Sequence, residues 1–241
     1  MITLRSLMIF LNLWTALPFS FKDFMPEARR ISLELKTLRA RAGRTRSKMA
    51  DDLGLSVMLL VKLEGGQGNP RLSTIFQLCL VLARYLGASP RVVFNELVPE
   101  ELYDEFTEIS VQAADKLDTT ENHPNSFSAK QKFLKRGEAQ IKSQTFLKHV
   151  SYDGFQELYA RSRFSQAGLA RLTGVSERRL NQIFSISASR AGNMSLWVFL
   201  RLAAALSPVH GASIKETAFY LIKRELDELT QLYEREQQSC K

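Results

Sequence analysis

Apolar residues recur at three- and four-residue spacing along most of the chain, which predicts helices throughout. Glu34 to Ala42 carries Leu35 and Leu38, and a second helix runs from Ser47 to Leu53. A third follows Ser56 and ends near Gly65-Gly66. A fourth starts at Pro70 and Ser73 and repeats Ile75, Leu78 and Leu82. Ser89-Pro90 then opens a short helix through Val93, Phe94 and Leu97. Further on, Leu102, Phe106, Ile109, Ala113 and Leu117 form another apolar stripe. Beyond residue 149 the pattern resumes with Phe155–Arg161, Gln166–Leu172, a helix after Ser176, and one from Met194-Ser195-Leu196 with Phe199, Leu202 and Leu206. Ile214 to Gln238 reads as one long helix with Ala218, Ile222, Leu226, Leu229 and Tyr233 on one face. That near-heptad stripe predicts either a coiled-coil seam between two copies or a helix covering the second unit.

Within this pattern one stretch occurs twice. Leu38, Ala50, Gly54, Leu55, Ser56, Leu60 and Leu63 return without a gap, 120 positions later, as Leu158, Ala170, Gly174, Val175, Ser176, Leu180 and Ile183. Gly54 and Gly174 fall where one helix stops and the chain must turn, a place that favours a residue without Cβ. Ser56 and Ser176 follow two residues later as N-caps of the next helix. Two short helices joined by so tight a turn form a helix-turn-helix, a motif that places its second helix in the DNA major groove.

Both copies resemble the lambda-repressor/Cro-like helix-turn-helix family, also called the XRE type. The resemblance covers roughly residues 34–87 and 154–207. It rests in the first copy on Leu38-Arg39, Gly43, Met49-Ala50, Leu53-Gly54-Leu55-Ser56, Leu60, Leu63-Glu64, Gly66, Pro70 and Leu82. In the second it rests on Phe164-Ser165-Gln166, Leu169-Ala170, Thr173-Gly174-Val175-Ser176, Leu180 and Ile183. It implies an all-α fold: two lambda-repressor-like helix-turn-helix domains joined by a helical or flexible linker, plus a long C-terminal helix. In this family the Gln opening the second helix commonly touches a DNA phosphate. Gln166 stands there in the second copy and Arg46 in the first. The second copy lacks the Glu and Gly that follow the third helix, having Phe184 and Ser185 after Ile183.

The resemblance also implies that residues just after the capping serine face base edges. In the second copy Ser176 is followed by Glu177, Arg178, Arg179, Asn181 and Gln182. Arg can bond guanine O6 and N7, and Asn or Gln can bond adenine N6 and N7. The first copy offers Val57, Met58, Leu59, Val61 and Lys62 at the same positions, of which only Lys62 is polar. Such a helix can touch thymine methyls but has little capacity for hydrogen-bonded reading. An apolar helix face also marks protein contacts. The first copy therefore either binds phosphates through Arg44, Arg46 and Lys48, or has become an interaction surface, including a homodimer contact through Val57, Met58, Leu59 and Val61.

Charge supports a polyanionic partner such as double-stranded DNA: the net charge is +8 and the isoelectric point about 9.6. Its distribution divides the 241 residues. Residues 26–97 form the first helix-turn-helix domain and 149–212 the second, with 213–241 as the C-terminal helix. Between them, 98–128 holds an acidic helix and a polar linker, and 129–148 is basic. Glu100, Glu101, Asp104, Glu105, Glu108 and Asp115 face only Lys116 within 98–117, so that helix packs on the first domain or on a protein partner. The basic segment is a solvated face or a phosphate-tracking one.

Residues 1–25 form an apolar N-terminal segment. Leu7 to Phe19 allows four readings: an extra helix, upstream sequence before a start at Met25, a secretory signal, or a membrane tether. The absence of an Ala-x-Ala-like site after it weighs against export. Cys79 lies in an apolar run and Cys240 near the end, with no framework spacing, which fits a reducing, cytoplasmic setting. No zinc-type Cys/His spacing, phosphate-cradling glycine loop or nucleophile–base pattern is present. No metal, cofactor or enzymatic activity is expected.

Overall fold

The computed structural model describes residues 25–119, 153–184 and 194–239, and these are all-helical. The first half begins with α1 (Met25–Arg41), α2 (Arg46–Leu53) and α3 (Val57–Glu64). Thr45 caps α2 by accepting from the Lys48 amide. Gly54 stops α2 in the left-handed region at φ 62°, and Ser56 then caps α3 by accepting from the Leu59 amide. Leu38, Met49, Ala50 and Leu60 close the triangle of these helices and are buried. α4 (Leu72–Leu86) supplies the opposing wall through Ile75, Leu78 and Leu82, and α5 (Pro90–Leu97) closes it with Val93, Phe94 and Leu97. The acidic stretch forms two helices, α6 (Glu100–Asp104) and α7 (Thr107–Thr119).

The second half repeats this order with α8 (Asp153–Arg161), α9 (Gln166–Thr173), α10 (Glu177–Phe184), α11 (Leu196–His210), α12 (Ile214–Leu221) and α13 (Lys223–Ser239). Gly174 turns at φ 65° as Gly54 does. α4 and α11 are both 15 residues long and both end at a left-handed glycine, Gly87 and Gly211. α5 and α12 are both eight residues long and are capped by Ser89 and Ser213. The helix expected to run unbroken from Ile214 to Gln238 is therefore two, interrupted at Ile222 (φ −118°, ψ 15°). This break occupies the place of Val98-Pro99 in the first half.

The halves join reciprocally. The Leu72 amide donates to the Met194 carbonyl (2.9 Å), and the Leu196 amide donates to the Pro70 carbonyl (2.8 Å). Arg71 and Ser195 thus form an isolated antiparallel bridge. Pro70 corresponds to Met194 and Leu72 to Leu196 at one constant offset, so each bond is the other with the halves exchanged. Part of the remaining packing is reciprocal as well. α7 lies along α11, and α13 lies along α4 and α5. Ser110 bonds Ser207 (2.7 Å), while Arg84 forms a two-point ion pair with Glu236 (2.7 and 2.5 Å). Phe106 meets Trp197 with centroids 6.2 Å apart, and Phe94 meets Phe219 edge-on at 5.6 Å. Contacts in which i meets j and j meets i are the mark of a twofold interface, here between two halves of one chain.

Two expectations change in consequence. The apolar stripe of the acidic segment faces inward through Leu102, Phe106 and Ala113, but α7 packs on the second half rather than on the first. Ile222, Leu226 and Leu229 are buried within the chain and Tyr233 is half-buried, so no seam for a second copy is open there. Burial against α4 and α5 uses the surface that a coiled coil would need. Cys79 is fully buried, and desolvation pushes its thiol far above the usual range. No single helix among the described residues is long and apolar enough to cross a membrane. Leu7–Phe19, most of the linker and the basic segment 129–148 lie outside the described residues.

Candidate nucleic-acid interface

In α10, Leu180 and Ile183 are fully buried, which turns Glu177, Arg178 and Asn181 outward. Arg179 and Gln182 stand half-buried at the edges of this face. The Ser176 hydroxyl accepts from the Arg179 amide (3.3 Å) and so fixes the first turn. Two side-chain bonds order the face. Gln166 Nε2 donates to Asn181 Oδ1 (2.7 Å), linking the start of α9 to α10. Arg179 Nη1 donates to Gln182 Oε1 (3.0 Å). The expected phosphate-touching Gln and an expected base-reading Asn are therefore one unit. Arg178 is exposed on the same helix.

The first half presents a different chemistry. α3 exposes Val57 (41%), Met58 (64%), Leu59 (38%) and Val61 (40%), an apolar row with Lys62 beside it. Leu60 is fully buried and Leu63 half-buried behind that row. The cations expected at phosphates are engaged within the fold. Arg46 Nε bonds Glu64 Oε2 (2.6 Å), and Arg39 bonds both Glu64 carboxylate oxygens. Arg44 lies over the Tyr85 ring at 3.8 Å, and Lys48 stands 3.7 Å from Asp52. Each remains partly exposed; Arg46 is about half exposed while tied to the buried Glu64 carboxylate.

The charges explain the titration. Burial pushes the Glu64 carboxyl up, but the hydrogen bonds and charges of Arg39 and Arg46 outweigh it and hold the group below its ordinary value. The Tyr85 hydroxyl donates to Asp52 and holds that carboxyl below the usual range, aided by Lys48 and Arg44 against slight desolvation. The same bond raises the Tyr85 hydroxyl.

The buried Glu64 pair and the Arg44–Tyr85–Asp52 chain escaped sequence reasoning. A lone acid closing the helix Val57–Glu64, where Lys62 is the one other polar residue, was the available signal for the first; Tyr85 gave none. In the second half the triad Arg39, Glu64, Arg46 is replaced together by Tyr159, Phe184 and Gln166. Tyr159 stacks on Phe184 at 4.2 Å with the rings 11° apart. With no carboxylate there to hold it, Gln166 turns to Asn181.

Residues 30–93, from α1 through α5, match the family model described as a helix-turn-helix domain. Domains of this class are generally the DNA-binding parts of regulators. No curated protein and no solved structure matches the chain.

Proposed function

We propose that this chain is a sequence-specific double-stranded DNA-binding transcriptional regulator of the XRE type, built from two helix-turn-helix units. The second unit is the main base reader. The observation that carries this reading is the α10 face, where buried Leu180 and Ile183 leave Arg178, Asn181 and the edge residues Arg179 and Gln182 in place to meet base edges. The Gln166–Asn181 bond supports it further, because it joins a phosphate-positioned amide to a reading one. The net charge of +8 supplies the long-range attraction. The test is binding of the Arg178→Ala, Arg179→Ala double variant to duplexes selected by the wild type. Loss of preference at one or two base pairs, by about 1–3 kcal/mol each, is expected. An unchanged preference would remove α10 from the reading role.

A second reading has its own support. The exposed row Val57, Met58, Leu59 and Val61 also suits a protein partner or a second copy, which would make the chain an adaptor of antitoxin-like or coactivator-like kind. Weak, salt-sensitive binding to every duplex without a preferred site would favour it.

A further inference from the structure

We infer that one chain acts as its own dimer on DNA, and that its site is an inverted pair of unlike half-sites rather than a direct repeat. This rests on the proposed reading as a DNA-binding protein. A duplicated motif in one chain suggests, by chain direction alone, two half-sites in the same orientation. The join between the halves says otherwise. The bonds Leu72–Met194 and Leu196–Pro70 exchange when the halves exchange, as do the packing of α7 on α11 and of α13 on α4. These contacts relate the halves by a local twofold axis. A twofold rotation leaves the component of any direction along its axis unchanged. If α10 presents its polar face toward a duplex lying across that axis, α3 presents its apolar face to the same duplex, pointing the opposite way along it. Protein twofold symmetry of this kind maps onto inverted half-sites.

Reach is consistent with one helical turn. Glu64 lies six residues before Pro70 at the bridge, a span of at most about 22 Å. Phe184 lies ten residues before Met194, a span of at most about 36 Å, so a separation of about 34 Å between the third helices is attainable. The half-sites differ because the helices do. Arg178, Arg179, Asn181 and Gln182 select guanine and adenine edges, whereas Val57, Met58, Leu59 and Val61 offer apolar contact suited to thymine methyls. The shared core makes the spacing rigid: Leu72, Leu196, Phe106 and Trp197 are buried where the halves meet.

The experiment selects the full chain on a random duplex library, then measures stoichiometry and affinity on the enriched site. The expected result is two unlike inverted half-sites about one turn apart, bound by a single chain. Reversing one half-site, or inserting about five base pairs between them, should weaken binding by roughly 100-fold. The Arg178→Ala, Arg179→Ala variant should lose selection in one half-site only, and Met58→Ser, Val61→Ser in the other only; all four positions are solvent-facing or at the surface edge. A direct repeat, a single half-site, or a true palindrome holding two chains would overturn the inference while leaving DNA binding intact. Tolerance of the inserted base pairs would overturn it as well. No enriched sequence would instead overturn the proposed function.

Discussion

Glu64 shows how one side chain separates two otherwise similar halves. It is 1% exposed and held by two guanidiniums, of which Arg39 is largely buried and Arg46 about half so. Removing one partner of a buried pair costs more than the pair contributes, because a charge is left unmatched. Glu64→Gln should lower unfolding free energy by about 2–3 kcal/mol at neutral pH, reduced from the fully buried range because water reaches Arg46. The pH dependence has a definite sign. Since the folded carboxyl titrates below its ordinary 4.5, its contribution is complete above that value and is lost as pH falls through the lower folded one. Denaturant titrations should therefore show wild type and variant converging below pH 4.5; a constant gap would mean the charge is not what matters. Tyr103 offers the converse case. Its hydroxyl is buried without a hydrogen-bond partner, and burial pushes it far above the usual range. Tyr103→Phe should be neutral or stabilising by up to about 1 kcal/mol, while Tyr85→Phe, which forfeits the bond to Asp52, should destabilise. Equal effects of the two in thermal unfolding would contradict this.

At the scale of elements, what was legible in the sequence was local. Gly54 and Gly174 announce their turns because left-handed backbone is a property of one residue, and Ser56 announces its cap because the bond spans three residues. The break at Ile222 was not legible, because Ala218, Ile222 and Leu226 continue an apolar stripe with no Gly or Pro between them. Carrying the repeat past Gly211 would have placed Ile222 opposite Val98-Pro99 and marked it. The orientation of the α10 side chains was legible from Leu180 and Ile183, whereas the capture of Arg46 by Glu64 was not, since it joins residues 18 apart across two helices. The two turns also differ in tolerance. A Cβ at Gly54 would meet nothing within 4 Å, so Gly54→Ala should cost only the left-handed strain, about 1–2 kcal/mol. At Gly174 a Cβ would stand 3.1 Å from Arg201 Nη1, which donates to the Thr173 carbonyl. Gly174→Ala should therefore cost up to about 1 kcal/mol more, through that strained bond. Chemical denaturation of both variants decides it, and a milder effect at Gly174 would count against the Arg201 contact at the turn.

At the scale of the whole molecule, the halves do not fold as beads on a string. Each lends its tail to the other: α7 to α11, and α13 to α4 and α5. The buried residues consequently form one continuous cluster from Ile31 to Leu229. Such an exchange couples stability across the chain, because a loss in α13 exposes apolar surface on the first half as well as the second. Leu226 is the residue at which to test it, being 2% exposed on α13. Leu226→Ala should cost about 2–5 kcal/mol through lost transfer energy and the cavity left behind. If the core is shared, hydrogen exchange should show protection falling together in α4, α5 and α11, and unfolding should remain a single transition. If the halves are independent, protection should fall in the second half alone, and a residual transition at the wild-type midpoint should report the undisturbed first half. The first outcome would also give the rigid spacing that a fixed pair of inverted half-sites requires; the second would leave the two third helices free to move relative to each other.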